Sequence, residues 1–217
     1  MKVDATRNAV ALVIKNIDAV EEASCVADHD EWIGENIFGQ IDNTIETFAK
    51  DLDLIGKFSF WEDDVTEFYP KSWVVDSRAA ENNKALAKFS LGCTNEEEDC
   101  FWLTALCAAG KERIGFIWSF NENILFKKKS EKKAFFQERS LERESEELIK
   151  LGFRFDVRKF AWSIDFNLHA GALADAYRDD TIEDCLEPLD IALSKIRLAL
   201  PTFEKLVRTA QSTLTIE

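Results

Sequence analysis

One change of period, near Lys57, constrains this chain more than any other feature. Before it, Ile33, Ile37, Ile41 and Ile45 recur every four residues, and Phe48 and Leu52 continue the row. Residues three and four apart share a helix face, so this spacing lays down one apolar stripe. The stripe predicts a helix that begins near residues 28–30 and ends at Gly56. An earlier helix over 6–22 follows from Val10, Val13, Ile14, Ile17 and Val20, with Asp4 or Thr6 as its cap. After Lys57 the apolar runs are short and rich in aromatic and branched residues: Phe58 and Phe60, then 65–69, 73–75, 86–91, 101–106 and 114–120. Polar breaks separate them, which is the pattern of an antiparallel meander of about four strands. The connection between 101–106 and 114–120 is the clearest predicted hairpin, turning at Ala109-Gly110-Lys111.

Beyond the meander, residues 127–150 predict one strongly charged helix closed by Gly152, with Glu138, Glu142 and Glu146 interleaved with Arg139 and Arg143. Residues 153–166 predict a long strand, with a bulge or bend at Arg158-Lys159 where the alternation slips. Helices are expected over 170–177, over 181–200, and from Pro201 to about residue 210. The expected class is therefore α+β: two N-terminal helices, the meander, a charged helix, a long strand and C-terminal helices. Length permits a single domain over 1–217, divided into an acidic helical lobe (1–56), a β meander (57–126) and a helix-strand-helix part (127–217). Seventeen Phe and six Trp indicate a core built on rings, each of which removes roughly 150–250 Å² from water when buried.

Charge is regional. Residues 1–64 hold 15 acidic and 5 basic side chains, a net of −10 out of −14 for the whole chain, whereas 126–160 is net positive. No basic, apolar signal segment follows Met1, so a cytoplasmic location is expected. The longest apolar runs fall far short of the ~20 residues of a membrane span. Cys25, Cys93, Cys100, Cys107 and Cys185 are odd in number and include no Cys-x-x-Cys, which predicts free thiols in a reducing compartment.

Motifs for chemistry are scarce. His29 lies among Asp28, Asp30 and Glu31, but acidic residues at a helix start are the ordinary complement of its dipole, and the spacing of a calcium loop is missing. Glu96 to Asp99 are consecutive, and neighbours on an extended chain point to opposite sides, so they read as a solvated loop. There is no Gly-x-Ser-x-Gly, no phosphate loop and no dinucleotide turn. Cys93 and His169 have nothing local to activate them as a dyad. Lys127 to Lys129 with Lys132 and Lys133 form the one basic cluster, which would contact phosphate only against the field of the whole chain. No metal site and no cofactor are expected. The order helix, strands, helix, strand resembles in outline the core of PD-(D/E)XK nucleases. That resemblance implies an Asp and a Glu-x-Lys on adjacent strands; here 101–106 and 114–120 carry neither acid nor lysine, and Glu131-Lys132-Lys133 falls on a predicted helix.

An acidic chain without a catalytic signature fits a protein that binds and neutralises a basic enzyme or nucleic-acid-binding protein, because opposite charge accelerates and orients encounter. Immunity proteins, antitoxins and phage counter-defence proteins that imitate DNA charge are of this kind. Direct nucleic-acid binding and membrane association are not expected. The expected contact residues are Asp28, Asp30, Glu31, Glu35, Asp42, Glu46, Glu62, Asp63 and Asp64, with Trp32, Trp61 or Trp73 as anchors where exposed. The alternatives are a divergent metal-dependent nuclease using Asp76, Glu112 and Asp165, and a subunit that dimerises through an aromatic face.

Overall fold

A computed structural model describes residues 11, 14–16, 34–75, 85–95, 102–108, 113–126, 129–137 and 141–214. Of the predicted helix over 6–22 only residues 11 and 14–16 are described, with 11, 14 and 15 helical, and the start of the second helix lies outside this set.

A π-helical turn, Gly34–Phe38, leads into α1, Gly39–Asp51, and the isoleucine stripe behaves as expected: Ile37, Phe38, Ile41, Ile45 and Phe48 are buried. The helix stops five residues short of Gly56. Leu52 caps it, and Asp53 turns into the left-handed region (φ 53°) with its N–H on the Lys50 carbonyl at 3.1 Å. Gly56 lies instead in β1, Leu54–Ser59, where a Cβ would come within 2.6 Å of the Glu67 carbonyl oxygen on the next strand. There it serves close backbone approach rather than helix termination.

One helical turn, α2 (Phe60–Asp63), joins β1 to β2 (Val65–Pro70). Residues 73–75, predicted as a strand, do not extend the sheet. Pro70 is followed by a 3-10 turn, Lys71–Trp73, and Val74 keeps only an isolated bridge to Ala85. The turn swings Trp73 into the core, where its indole N–H donates to Glu204 on the last helix. β3 is Ala87–Cys93.

The predicted hairpin from 101–106 is overturned, because Trp102–Leu106 is a short helix, α3, with Ala105 and Leu106 buried. A short apolar run has too few residues for its period to separate strand from helix. β4, Ile114–Phe120, pairs antiparallel with β3 instead, from Ala87↔Phe120 to Cys93↔Ile114.

After a short α4 (Glu122–Leu125), the charged segment 127–150 forms α5 (Lys129–Phe136) and α6 (Glu142–Lys150) rather than one helix. Gly152 closes α6 as predicted: at φ 94° it donates to the Ile149 carbonyl (2.9 Å) while Phe153 donates to Leu148 (3.0 Å). The predicted long strand folds back as a hairpin, β5 (Arg154–Asp156) against β6 (Ala161–Asp165). Its turn is set by Asp156, whose Oδ1 accepts the Arg158 and Lys159 N–H groups at 2.7 and 3.1 Å.

α7, Ala170–Asp179, is capped by His169, whose Nδ1 accepts the Ala172 N–H. After a 3-10 turn, α8 runs unbroken from Glu187 to Leu214 through Pro201, where two helices were predicted. An interior proline costs about 3 kcal/mol. Burial of Ile196, Ala199, Phe203, Leu206 and Val207 on both sides of it holds the helix together.

The fold is α+β. Six antiparallel strands form one sheet in the order β1-β2-β3-β4-β6-β5. α1 and α8 cover one face of it: Phe48 meets the Phe68 ring edge-on at 5.9 Å, and Phe203 lies 4.6 Å from Trp118 and 5.1 Å from Phe89. Cys93 is disulfide-bonded, a correction to the expectation of five free thiols, since pairing depends on tertiary approach and not on spacing. Cys107 and Cys185 are free. No described helix is long and apolar enough to cross a membrane.

Candidate acidic binding site

The start of α1, the end of β1 and the α2 turn meet around a cavity of about 260 Å³, lined by Glu35, Gly39, Asp42, Asn43, Phe58, Ser59, Trp61 and Glu62. Its architecture comes from Asp42. This residue is only 8% exposed, with Oδ2 accepting the Phe60 N–H at 2.8 Å and Oδ1 accepting the Thr66 hydroxyl. One carboxylate thus fastens α1 to α2 and β2. Burial pushes its pKa up, the bonds from Thr66 and Phe60 pull it down, and the nearby Glu46 charge raises it further.

Asp42 was expected on the solvent face as a partner contact, and its burial corrects that. Phe38, Asp42, Ile45 and Ala49 step by four, three and four, so Asp42 belongs to the buried ridge of the helix; that spacing was the overlooked signal.

Glu35 and Glu62 stand at the rim, both exposed, and among the described residues no cation pairs with either. The Ser59 hydroxyl reaches Glu62 only at 3.5 Å. Trp61 stacks on Phe38 with centroids 5.9 Å apart and planes 9° from parallel, and it remains 36% exposed. The structure therefore brings Glu35, Asp42, Glu62 and Trp61 together. It leaves three other predicted residues outside the cavity. Glu46 pairs with Lys50 at 2.9 Å, Asp63 pairs with Lys57 at 3.0 Å, and Asp64 ends α2 in the left-handed region at φ 53°. The Lys57 contact, with help from Ser59, holds the Asp63 carboxyl below its ordinary range. Asp28, Asp30, Glu31 and Trp32 lie outside the described residues, and Trp73 is buried, which removes it as an anchor.

Carboxylates beside an exposed indole suit a cation with a flat or compact charged head, which gains charge-assisted hydrogen bonds and ring contact together. The cavity is small, below the roughly 300–1,000 Å³ of drug-sized ligand sites.

Of the residues of the nuclease reading, only Asp165 is described. Asp165 accepts from Arg154 (2.6 Å) and Thr94 (2.7 Å), and Asp76 and Glu112 lie outside the described residues. Among the described residues no group of three or more His, Cys, Asp or Glu could hold a metal. Lys132 leaves the basic cluster: it is 2% exposed and donates to Glu122 (2.8 Å) and the Lys159 carbonyl (3.0 Å). With Cys93 disulfide-bonded and His169 capping α7, neither forms a dyad. A larger groove lies beside the cavity, between α1 and α8; no periodicity in the chain signals it, because the neighbourhood of the two helices is set only by tertiary packing. No family model matches this chain, and no curated protein and no solved structure matches it either.

Proposed function

We propose that this protein is a non-enzymatic, cytoplasmic binder that captures a basic protein partner and neutralises it, in the manner of an immunity protein, antitoxin or counter-defence inhibitor. One observation carries the reading: the cavity sets two exposed carboxylates, Glu35 and Glu62, beside the partly exposed Trp61 with no described cation to satisfy them. A lysine or arginine of the partner would supply that charge, and the net −14 would draw a basic protein in over long range. Nucleic acid is disfavoured by the same field.

The test is affinity capture from host and competitor lysates at low and moderate salt, run in parallel with Glu35→Lys and Glu62→Lys. The expected result is one basic enzyme or nucleic-acid-binding protein, held less tightly at moderate salt and lost on charge reversal. Equal capture by the reversed proteins, or none by the native protein, would remove the reading.

A further inference from the structure

The groove between α1 and α8 has a volume of about 560 Å³ and shares Asn43 with the acidic cavity, so the two depressions are contiguous along α1. Its charges are Asp51, Asp190 and Arg197. Among the described residues none of the three has a hydrogen-bond or ion-pair partner for its side chain. Many other cations are paired, as in Lys57 with Asp63, Lys88 with Glu67 and Arg154 with Asp165. Arg197 rests its guanidinium over the Phe48 ring, 5.7 Å from the centroid, and is otherwise exposed. A guanidinium resting on a ring keeps N–H donors available for a carboxylate. Asp190, seven residues earlier on α8, lies about 10 Å away along the helix axis at 1.5 Å per residue.

Continuing from the proposed capture of a basic partner, and resting on it, we infer that cavity and groove form one docking surface for a single extended segment of that partner. The segment carries a basic side chain for the Glu35, Glu62 and Trp61 cavity and an acidic side chain for Arg197. Asn43, whose amide has no described partner, stands between the two depressions and can hydrogen-bond the backbone of the segment. A nucleic-acid strand, anionic throughout, would meet Glu35, Glu62, Asp51 and Asp190 along the same path, which favours a mixed-charge polypeptide. The recognised epitope is therefore not uniformly basic, and Arg197 reads its acidic position.

Fluorescence polarisation with labelled ten-residue Gly/Ser peptides tests this. One peptide bears a single Arg, one a single Glu, and a series bears Arg and Glu three to six residues apart, a reach of about 10–20 Å when extended. Against the native protein the best mixed peptide is expected to bind about tenfold tighter than the Arg-only peptide, the worth of one charge-assisted contact. Arg197→Gln should erase that tenfold and Arg197→Lys restore part of it, with unchanged thermal unfolding as the check on folding. Glu62→Gln should weaken both peptides. If the Arg-only peptide binds as well as every mixed one, or Arg197→Gln leaves the difference intact, the inference is wrong. If in that case Glu62→Gln still abolishes Arg-peptide binding, the cavity reading survives alone; if no peptide binds, both fall.

Discussion

Replacing Asp42 separates a residue that builds the site from one that touches the partner. Asp42→Ala leaves two donors without acceptors, the Phe60 N–H and the Thr66 hydroxyl, in residues that are 2% and 1% exposed. A buried donor left unsatisfied costs about 1–3 kcal/mol. Removing a desolvated carboxylate returns part of this, since burial is the main influence on Asp42 and disfavours its charge. The net loss should be about 2–4 kcal/mol, which for a chain of this size lowers Tm on the order of 10 °C. Asp42→Asn keeps one acceptor oxygen and should cost about half as much. Thermal unfolding of both variants, alongside Thr66→Val and the double variant with Asp42→Ala, reads the loss and its coupling directly. Partner capture measured below Tm should survive Asp42→Asn and weaken with Glu62→Gln. A change of less than about 2 °C for Asp42→Ala would refute the structural role, as would Asp42→Asn abolishing capture at an unchanged Tm.

Four further outcomes are expected. Acid should act in opposite senses on different carboxylates. Glu147, held below its ordinary range by the Thr202 hydroxyl and Arg143, contributes stability above the unfolded carboxylate pKa and loses it as pH falls through its folded value. Asp42, shifted up, carries its cost at neutral pH and is relieved as pH falls, so the penalty of Asp42→Asn relative to the native protein should be smallest at pH 7 and grow toward pH 4.5 in paired unfolding scans. Phe203→Ala removes a fully buried ring that contacts Phe89, Trp118 and Phe153 and should cost about 3–5 kcal/mol by denaturant titration. Lys132→Met should cost less than Lys132→Ala, because Met keeps most of the buried volume while Glu122, which is 55% exposed, can be hydrated. Magnesium or manganese at millimolar concentration should leave Tm unchanged, whereas a nuclease with converging carboxylates would gain stability by mass action.

The fold was legible where side chains repeat at one period and opaque where tertiary contacts override it. The isoleucine spacing on α1, the short aromatic and branched runs of β2, β3 and β4 and the glycine stop at Gly152 all carry their structure locally. Residues 101–106 do not: their six apolar or small side chains suit either state, and contacts such as the edge-on packing of Trp102 against Phe60 at 4.4 Å decide for helix. Pro201 misled in the other direction, because burial on both sides outweighs its local cost. The site divides in the same way. Glu35, Glu62 and Trp61 were readable as an acidic and aromatic neighbourhood in the chain. Arg197 was not, since it lies 135 residues from Glu62 and reaches the site only through the packing of α8 against α1.

That division bears on whether the acidity serves docking or only solubility. A solubilising charge acts through the total, so removing any two exposed carboxylates should have the same effect. A docking charge acts through position. Asp180 and Glu183 are exposed, have no described ion-pair partner, and line neither the cavity nor the groove. Asp180→Asn with Glu183→Gln therefore changes the net charge by the same two units as Glu35→Gln with Glu62→Gln. If the acidity is only solubilising, the two double variants should associate with the partner at the same reduced rate and show the same salt dependence. If the cavity docks a basic side chain, only the Glu35 and Glu62 pair should raise the dissociation rate, because a desolvated contact governs release while a remote charge governs encounter. Stopped-flow association and surface-plasmon dissociation, measured at two salt concentrations, separate these outcomes, and equal dissociation rates for the two variants would reduce the acidic lobe to a solvated surface.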